Sequence, residues 1–195
     1  MPTTPADLLN HARTQLANYL RSHPAEHAGL QAAIQQLADD TGDVFSRANM
    51  RGHITTSGLA YDAHADAVLM IHHKVLNRWL QPGGHHEGLD RLDVSAAREV
   101  AEETGIAALS PWPQLSDAPL DIDSHAIPAN PDKGEGAHVH HDFIYVFAAD
   151  ATAAIQPQWA EVSGARWMPR TEFAALPEAR FARLGAKLQA LRAGR

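Results

Sequence analysis

Hydrophobic positions repeat with helical spacing at both ends of this 195-residue chain and with strand spacing between them. Near the N-terminus, Leu8, Ala12, Leu16, Tyr19 and Leu20 recur every three or four positions, which predicts a helix over 4–20 with one buried face. Thr4 can cap it, and Pro5 suits its first turn. Ser22-His23-Pro24 breaks the pattern, and Leu30, Ala33, Ile34 and Leu37 then line a second helix that runs to Asp39. The pair predicts a helical extension, 1–48, ahead of a unit spanning 49–195. The extension would cover a flank of the core, make a dimer contact or wall a substrate pocket.

From His53 the pattern turns extended: HITTSGLAY and AVLMIHH flank a turn-like 62–66 segment. In the second run Val68, Leu69, Met70 and Ile71 leave no polar face, so this strand is predicted to be buried on both sides. Pro111, Pro113 and Asp117 mark an irregular crossing, a short strand is predicted over 120–127, and PANPDKGEGA reads as a loop. HVHHDFIYVFAA predicts a long strand. Its even positions, His138, His140, Asp142, Ile144 and Val146, run from polar to apolar, as in a strand entering the core from a wet cleft. Residues 161–167 predict a turn and a further strand. From Glu172, the spacing of Phe173, Leu176, Phe181, Leu184, Leu188 and Leu191 predicts a helical tail.

Composition narrows the class. Apolar residues make up 45% and charged ones 20%, the balance of an ordinary globular protein. The net charge of −7 argues against a nucleic-acid surface. The absence of cysteine excludes disulfides, thiolate metal sites and a Cys nucleophile. The longest wholly apolar run, 143–149, is too short to span a membrane, and a cytoplasmic enzyme fits these features.

The stretch 83–106, GGHHEGLDRLDVSAAREVAEETGI, carries the chemistry. Its second half predicts a short helix capped by Asp93 and stopped by Gly105. At about 100° per residue, Glu99, Glu102 and Glu103 fall within an arc of about 100°. Val94, Ala97, Val100, Ala101 and Thr104 occupy the opposite side over about 120°, the side expected to be buried. Like charges so placed repel by roughly 0.2–0.5 kcal/mol per pair. A divalent cation would turn that repulsion into binding, and hard oxygen donors suit Mg²⁺ or Mn²⁺. Taken alone, such a triplet is more often a solvated acidic face. Gly83-Gly84 just ahead permits close approach of backbone to a ligand, and its carbonyls can face a cation.

The stretch resembles the signature of the Nudix hydrolases: Gly, five residues, Glu, seven residues, then Arg-Glu-aliphatic-any-Glu-Glu-any-Gly-aliphatic. Gly84 opens it here, and Arg98-Glu99-Val100-Ala101-Glu102-Glu103-Thr104-Gly105-Ile106 closes it, with Asp90 standing where the pattern has Glu. The resemblance implies an α/β/α sandwich around a mixed sheet. It implies hydrolysis of a diphosphate linked to another group, usually a nucleoside diphosphate derivative, with Mg²⁺ or Mn²⁺ as cofactor. By the same resemblance Glu102 and Glu103 are primary metal ligands, Glu99 is a further ligand or the general base, and the Gly83 carbonyl completes the set. Arg98 would orient a neighbouring carboxylate.

Members of the family often add an acid from a distant loop. Glu161 and Glu135 are the candidates here, and Glu135 could close over substrate. Gly84, His85 and His86 could contact phosphate, and Glu87 and Asp90 either join the site or are solvated. His138 and His140 could line the cleft or bind metal. Trp79, Trp112 and Tyr61 could stack on a base or pack in the core. A non-catalytic nucleotide sensor on the same scaffold is the alternative, opposed by retention of all three glutamates. The isopentenyl diphosphate isomerases share the fold but rely on a Cys that this chain lacks.

Overall fold

The computed structural model describes residues 4–39, 42–131, 134–160 and 162–194. Helix α1 (Pro5–Ser22) starts where the capping chemistry predicts, with the Thr4 side chain accepting from the Asp7 N–H at 3.2 Å. The second helix is not one element. A 3₁₀ segment (Pro24–Leu30) leads into α2 (Gln31–Asp39). Pro24 brings no N–H, and Glu26 N–H closes a tight turn on the His23 carbonyl at 3.0 Å.

Strand β1 (His53–Asp62) is the centre of the sheet. It pairs antiparallel with β2 (Ala67–His73) and β4 (Gly83–His85), and parallel with β7 (His138–Ala148). β3 (Arg78–Leu80) and β8 (Val162–Pro169) flank β2, while β5 (Ser110–Pro111) and β6 (Asp121–Ile127) flank β7. The period-two alternation of the central strands sends side chains to two separate cores. On one face Phe143, Tyr145 and Phe147 meet α1, α2 and the start of α3 (Leu92–Thr104). On the other, Leu59, Tyr61, Ile144 and Val146 meet α4 (Arg170–Ala174) and α5 (Ala179–Ala193) through Phe173, Phe181, Leu184 and Leu188. Trp112 and Tyr61 sit inside this second core with rings 5.6 Å apart, and Trp79 packs under Arg166, so none of the three faces a ligand cleft. The predicted helical tail is split at 175–178, where Pro177 disfavours helical backbone at Leu176.

Helix α3 rides directly on β1. A Cβ on Gly58 would stand 2.4 Å from Val100 Cγ2 and 2.9 Å from the Ala96 carbonyl. This contact sets the helix rotation and corrects the face predicted from spacing. Leu92, Ser95, Ala96, Val100, Glu103 and Thr104 are buried, whereas Val94 is exposed. The cap is corrected too. Arg91 is the N-cap residue and makes no side-chain cap bond, while Asp93 lies inside the helix and accepts from Arg91 Nε at 2.9 Å. Gly105 ends the helix at φ 75°, as predicted.

The N-terminal helices are tied to the sheet by charge as well as by apolar contact. Asp121 of β6, fully buried, accepts from Lys187 Nζ at 2.6 Å, Arg183 Nη2 at 2.7 Å and the Tyr19 hydroxyl at 3.0 Å. Among the described residues, no helix is long and apolar enough to cross a membrane.

Candidate active site

The antiparallel register of β4 on β1, Gly83 opposite Ser57 and Gly84 opposite Thr56, sets the glycine pair against α3. Both glycines are used for close approach. The Gly83 N–H donates to Glu103 Oε2 at 2.9 Å, and a Cβ on Gly84 would stand 2.6 Å from Glu99 Oε2. Glu103 is thereby buried, not solvated as an acidic surface face would be. Arg98 spans the other two carboxylates, with Nη2 2.9 Å from Glu99 Oε1 and Nη1 3.0 Å from Glu102 Oε2. The guanidinium offsets the repulsion that the sequence spacing creates.

These groups line a cavity of about 620 Å³ together with His85, His86 and Glu87. Asp43, Phe45, Ser46 and Arg47 close it from the connector, and Gln158 from the segment before β8. Burial pushes the Glu99 carboxyl above its ordinary value; Arg98 opposes the shift, and Glu102 and Glu87 add to it. A carboxylate raised in this way is better matched to accepting a proton near neutral pH.

The remaining sequence candidates fall in different places. Glu135 pairs with Arg47 at 2.7 Å, so it borders the cavity wall through that arginine. Asp90 does not line the cavity. Glu161 lies outside the described residues. His86 packs its ring 5.1 Å from Phe45, and burial lowers its pKa to about 4.

Next to this cavity, and sharing His85 with it, five histidines converge. The parallel register places His53 opposite His140, and β6 sets His125 opposite His140. His85 arrives from β4, and His138 from the same face of β7 two positions before His140. Ring centroids lie 4.7 Å apart for His53–His140, 4.8 Å for His53–His138 and 5.0 Å for His53–His85. Among the described residues, His53, His85 and His140 are the group of three whose donor atoms all lie within 4.8 Å of one another. Among the described residues, the three glutamates form no such group. Burial lowers the pKa of all three rings, to about 4 for His85 and about 3 for His140, so they are uncharged at neutral pH. Beneath them Asp142 is buried and accepts from Ser57 Oγ at 2.8 Å and Thr55 Oγ1 at 3.2 Å.

Two groups of residues here carried no signal in the sequence reading. The 41–51 connector has no periodicity to place Asp43, Phe45 and Arg47. His53 stands at the start of an extended stretch, and only the register identifies its neighbours.

A NUDIX domain family model matches residues 52–187. Among curated proteins, no sequence relative matches. Among solved structures, a binary complex of the Ap4A hydrolase of C. elegans superposes with a TM-score of 0.55 at 16% identity, covering 73% of this chain and 98% of that one. The NUDIX domain of Shewanella oneidensis NrtR complexed with ADP ribose gives 0.46 at 20% identity, over 80% and 96% of the two chains. The MutT NUDIX hydrolase of Burkholderia pseudomallei gives 0.47 at 15%, over 70% and 98%.

Proposed function

Because the chain belongs to the NUDIX domain family, whose model covers 52–187, we propose that it is a metal-dependent hydrolase. It cleaves a phosphoanhydride bond in a nucleoside diphosphate linked to another group. The observation that carries this reading is the meeting of Glu99, Glu102 and Glu103 with the Gly83-Gly84 elbow in one polar cavity. The donor set fits a hard cation. Three carboxylates and the Gly83 carbonyl offer oxygen donors alone, and Glu102 is half exposed. Glu99, Glu102, Glu103 and the Gly83 carbonyl would hold Mg²⁺ or Mn²⁺. When bound, such an ion neutralises the diphosphate oxygens and lowers the pKa of water.

The chain's own groups do the rest. Glu103, fixed by the Gly83 N–H, locks the elbow to the helix. Glu99, partly buried and raised in pKa, takes the proton from the attacking water. Arg98 holds Glu99 and Glu102 in register. Gly84 and His85 approach the phosphates, and Arg47, at the cavity mouth, offers a cation to the substrate with Glu135 as its partner. Glu161 is retained as a further candidate acid. Residues 1–48 are taken as an extension to a catalytic unit spanning 49–195, in keeping with the extent of the family match. The substrate is a small nucleotide-derived molecule, and the chain acts in the cytoplasm.

The test is release of nucleoside monophosphate or phosphate from a panel of nucleoside diphosphate derivatives with Mg²⁺ or Mn²⁺. Glu102→Gln and Glu103→Gln should each lower the rate by roughly 10²-fold or more without unfolding the chain. The glutamine at 103 keeps an oxygen for the Gly83 N–H. Full activity in both variants would overturn the assignment.

A further inference from the structure

The histidine group shares His85 with the acidic cavity but has a separate donor chemistry. We propose that His53, His85 and His140 form a second metal centre, one that takes a borderline transition ion such as Zn²⁺. Three observations carry it. The donor nitrogens of these three side chains already lie within 4.8 Å of one another. Two ligands of one tetrahedral zinc, each about 2.0–2.1 Å from the ion, stand about 3.3 Å apart, so ring adjustments of an ångström or so complete the site. His53 is 1% exposed, and its Nε2 is buried with no hydrogen-bond partner. An orphaned nitrogen in such a place is destabilising unless something binds it.

The outer contacts are those of ligating imidazoles. His53 Nδ1 lies 3.3 Å from the Asn49 carbonyl, which as the acceptor of Nδ1–H leaves the Nε2 lone pair facing the group. His138 behaves alike: Nδ1 lies 2.8 Å from the Gly136 carbonyl, and Nε2 lies 3.1 Å from His140 Nε2, beside the centre. Imidazole is a poor donor to Mg²⁺ and a good one to Zn²⁺, Co²⁺ or Ni²⁺, so the two sites take different ions.

The ligands come from three strands, β4, β1 and β7. An ion there would staple the edge strand that carries Gly83 and Gly84 to the middle of the sheet. The inference does not depend on the acidic site being catalytic.

Metal-stripped full-length protein titrated with Co²⁺, in the presence of saturating Mg²⁺, tests it. The expected result is one Co²⁺ per chain, with the visible absorption of a low-coordinate nitrogen site that Zn²⁺ abolishes. His140→Ala and His85→Ala should each weaken binding by about 100-fold or more, as the loss of one of three ligands requires. Glu102→Gln should leave the spectrum unchanged. Zn²⁺ should raise the melting temperature of the natural protein and not that of either histidine variant, by the linkage of binding to stability. Because His85 and His140 sit on different strands, a folding defect in one variant leaves the other as the test. Absence of the visible band, or a band that survives both substitutions, overturns the proposal.

Discussion

At the residue scale, the site depends on atoms a glycine lacks. Adding a methyl group at 84 would place it 2.6 Å from Glu99 Oε2, the far end of a flexible side chain. The fold can yield there, but the carboxylate cannot stay where it is. Gly84→Ala should therefore lower kcat by roughly 10-fold or more while moving the melting temperature little, which kinetics and a thermal scan on one preparation would separate. A second residue reports on pH. Burial alone would raise the Asp123 carboxyl, but hydrogen bonds from His125 and Arg183 outweigh it and hold the pKa at about 2, below its ordinary 3.8. A depressed carboxylate stabilises the fold above its unfolded value and loses that contribution as pH falls through the folded one. Asp123→Asn should thus be destabilised by about 2 kcal/mol at neutral pH. In urea unfolding the gap to the natural protein should shrink below pH 3.8 and close near pH 2.

At the element scale, the position of α3 follows from one contact. Gly58 lets Val100 and the Ala96 carbonyl reach the floor of β1, and that seat turns Glu103 inward toward Gly83. Gly58→Ala forces a methyl group into a space bounded partly by backbone, and overpacking of this kind costs about 1–3 kcal/mol. Chemical denaturation should register that loss. Activity measured well below the melting point should fall as well, because the helix carries all three glutamates. The spacing rule pointed to Val94 and Ala97 as the buried side. It was right at Val100 and Thr104 but wrong at Val94, because the seat on Gly58 centres the buried stripe on Ala96 and Val100 and turns Val94 to the outside.

At the scale of the whole molecule, the N-terminal helices and α5 meet at Asp121. Its carboxylate is fully buried among Lys187, Arg183 and Tyr19. Removing it takes away the carboxylate that Lys187 and Arg183 share, but Lys187 keeps Glu26 at 2.9 Å and Arg183 keeps Asp123 at 3.0 Å, so the change costs about 1–3 kcal/mol. Asp121→Ala should lower stability by that order. It should also free α1, seen as faster amide exchange over 5–22 than over α3.

Local chemistry in the chain determined a good part of this. The cap at Thr4, the stop at Gly105, the doubly buried β2 and the polar-to-apolar run of β7 each depend on a few consecutive residues, so they could be read directly. So could the glycine pair, the arginine and the glutamates at their spacing, because a helix converts spacing into direction. Register and packing decided the rest. Only the parallel pairing of β1 with β7, and of β4 against β1, brings His53, His85 and His140 together from positions up to 87 apart in the chain. Only the seat on Gly58 fixes which carboxylate is buried. Both depend on contacts between segments distant in sequence, and a pattern within one segment carries no information about the neighbour it will meet.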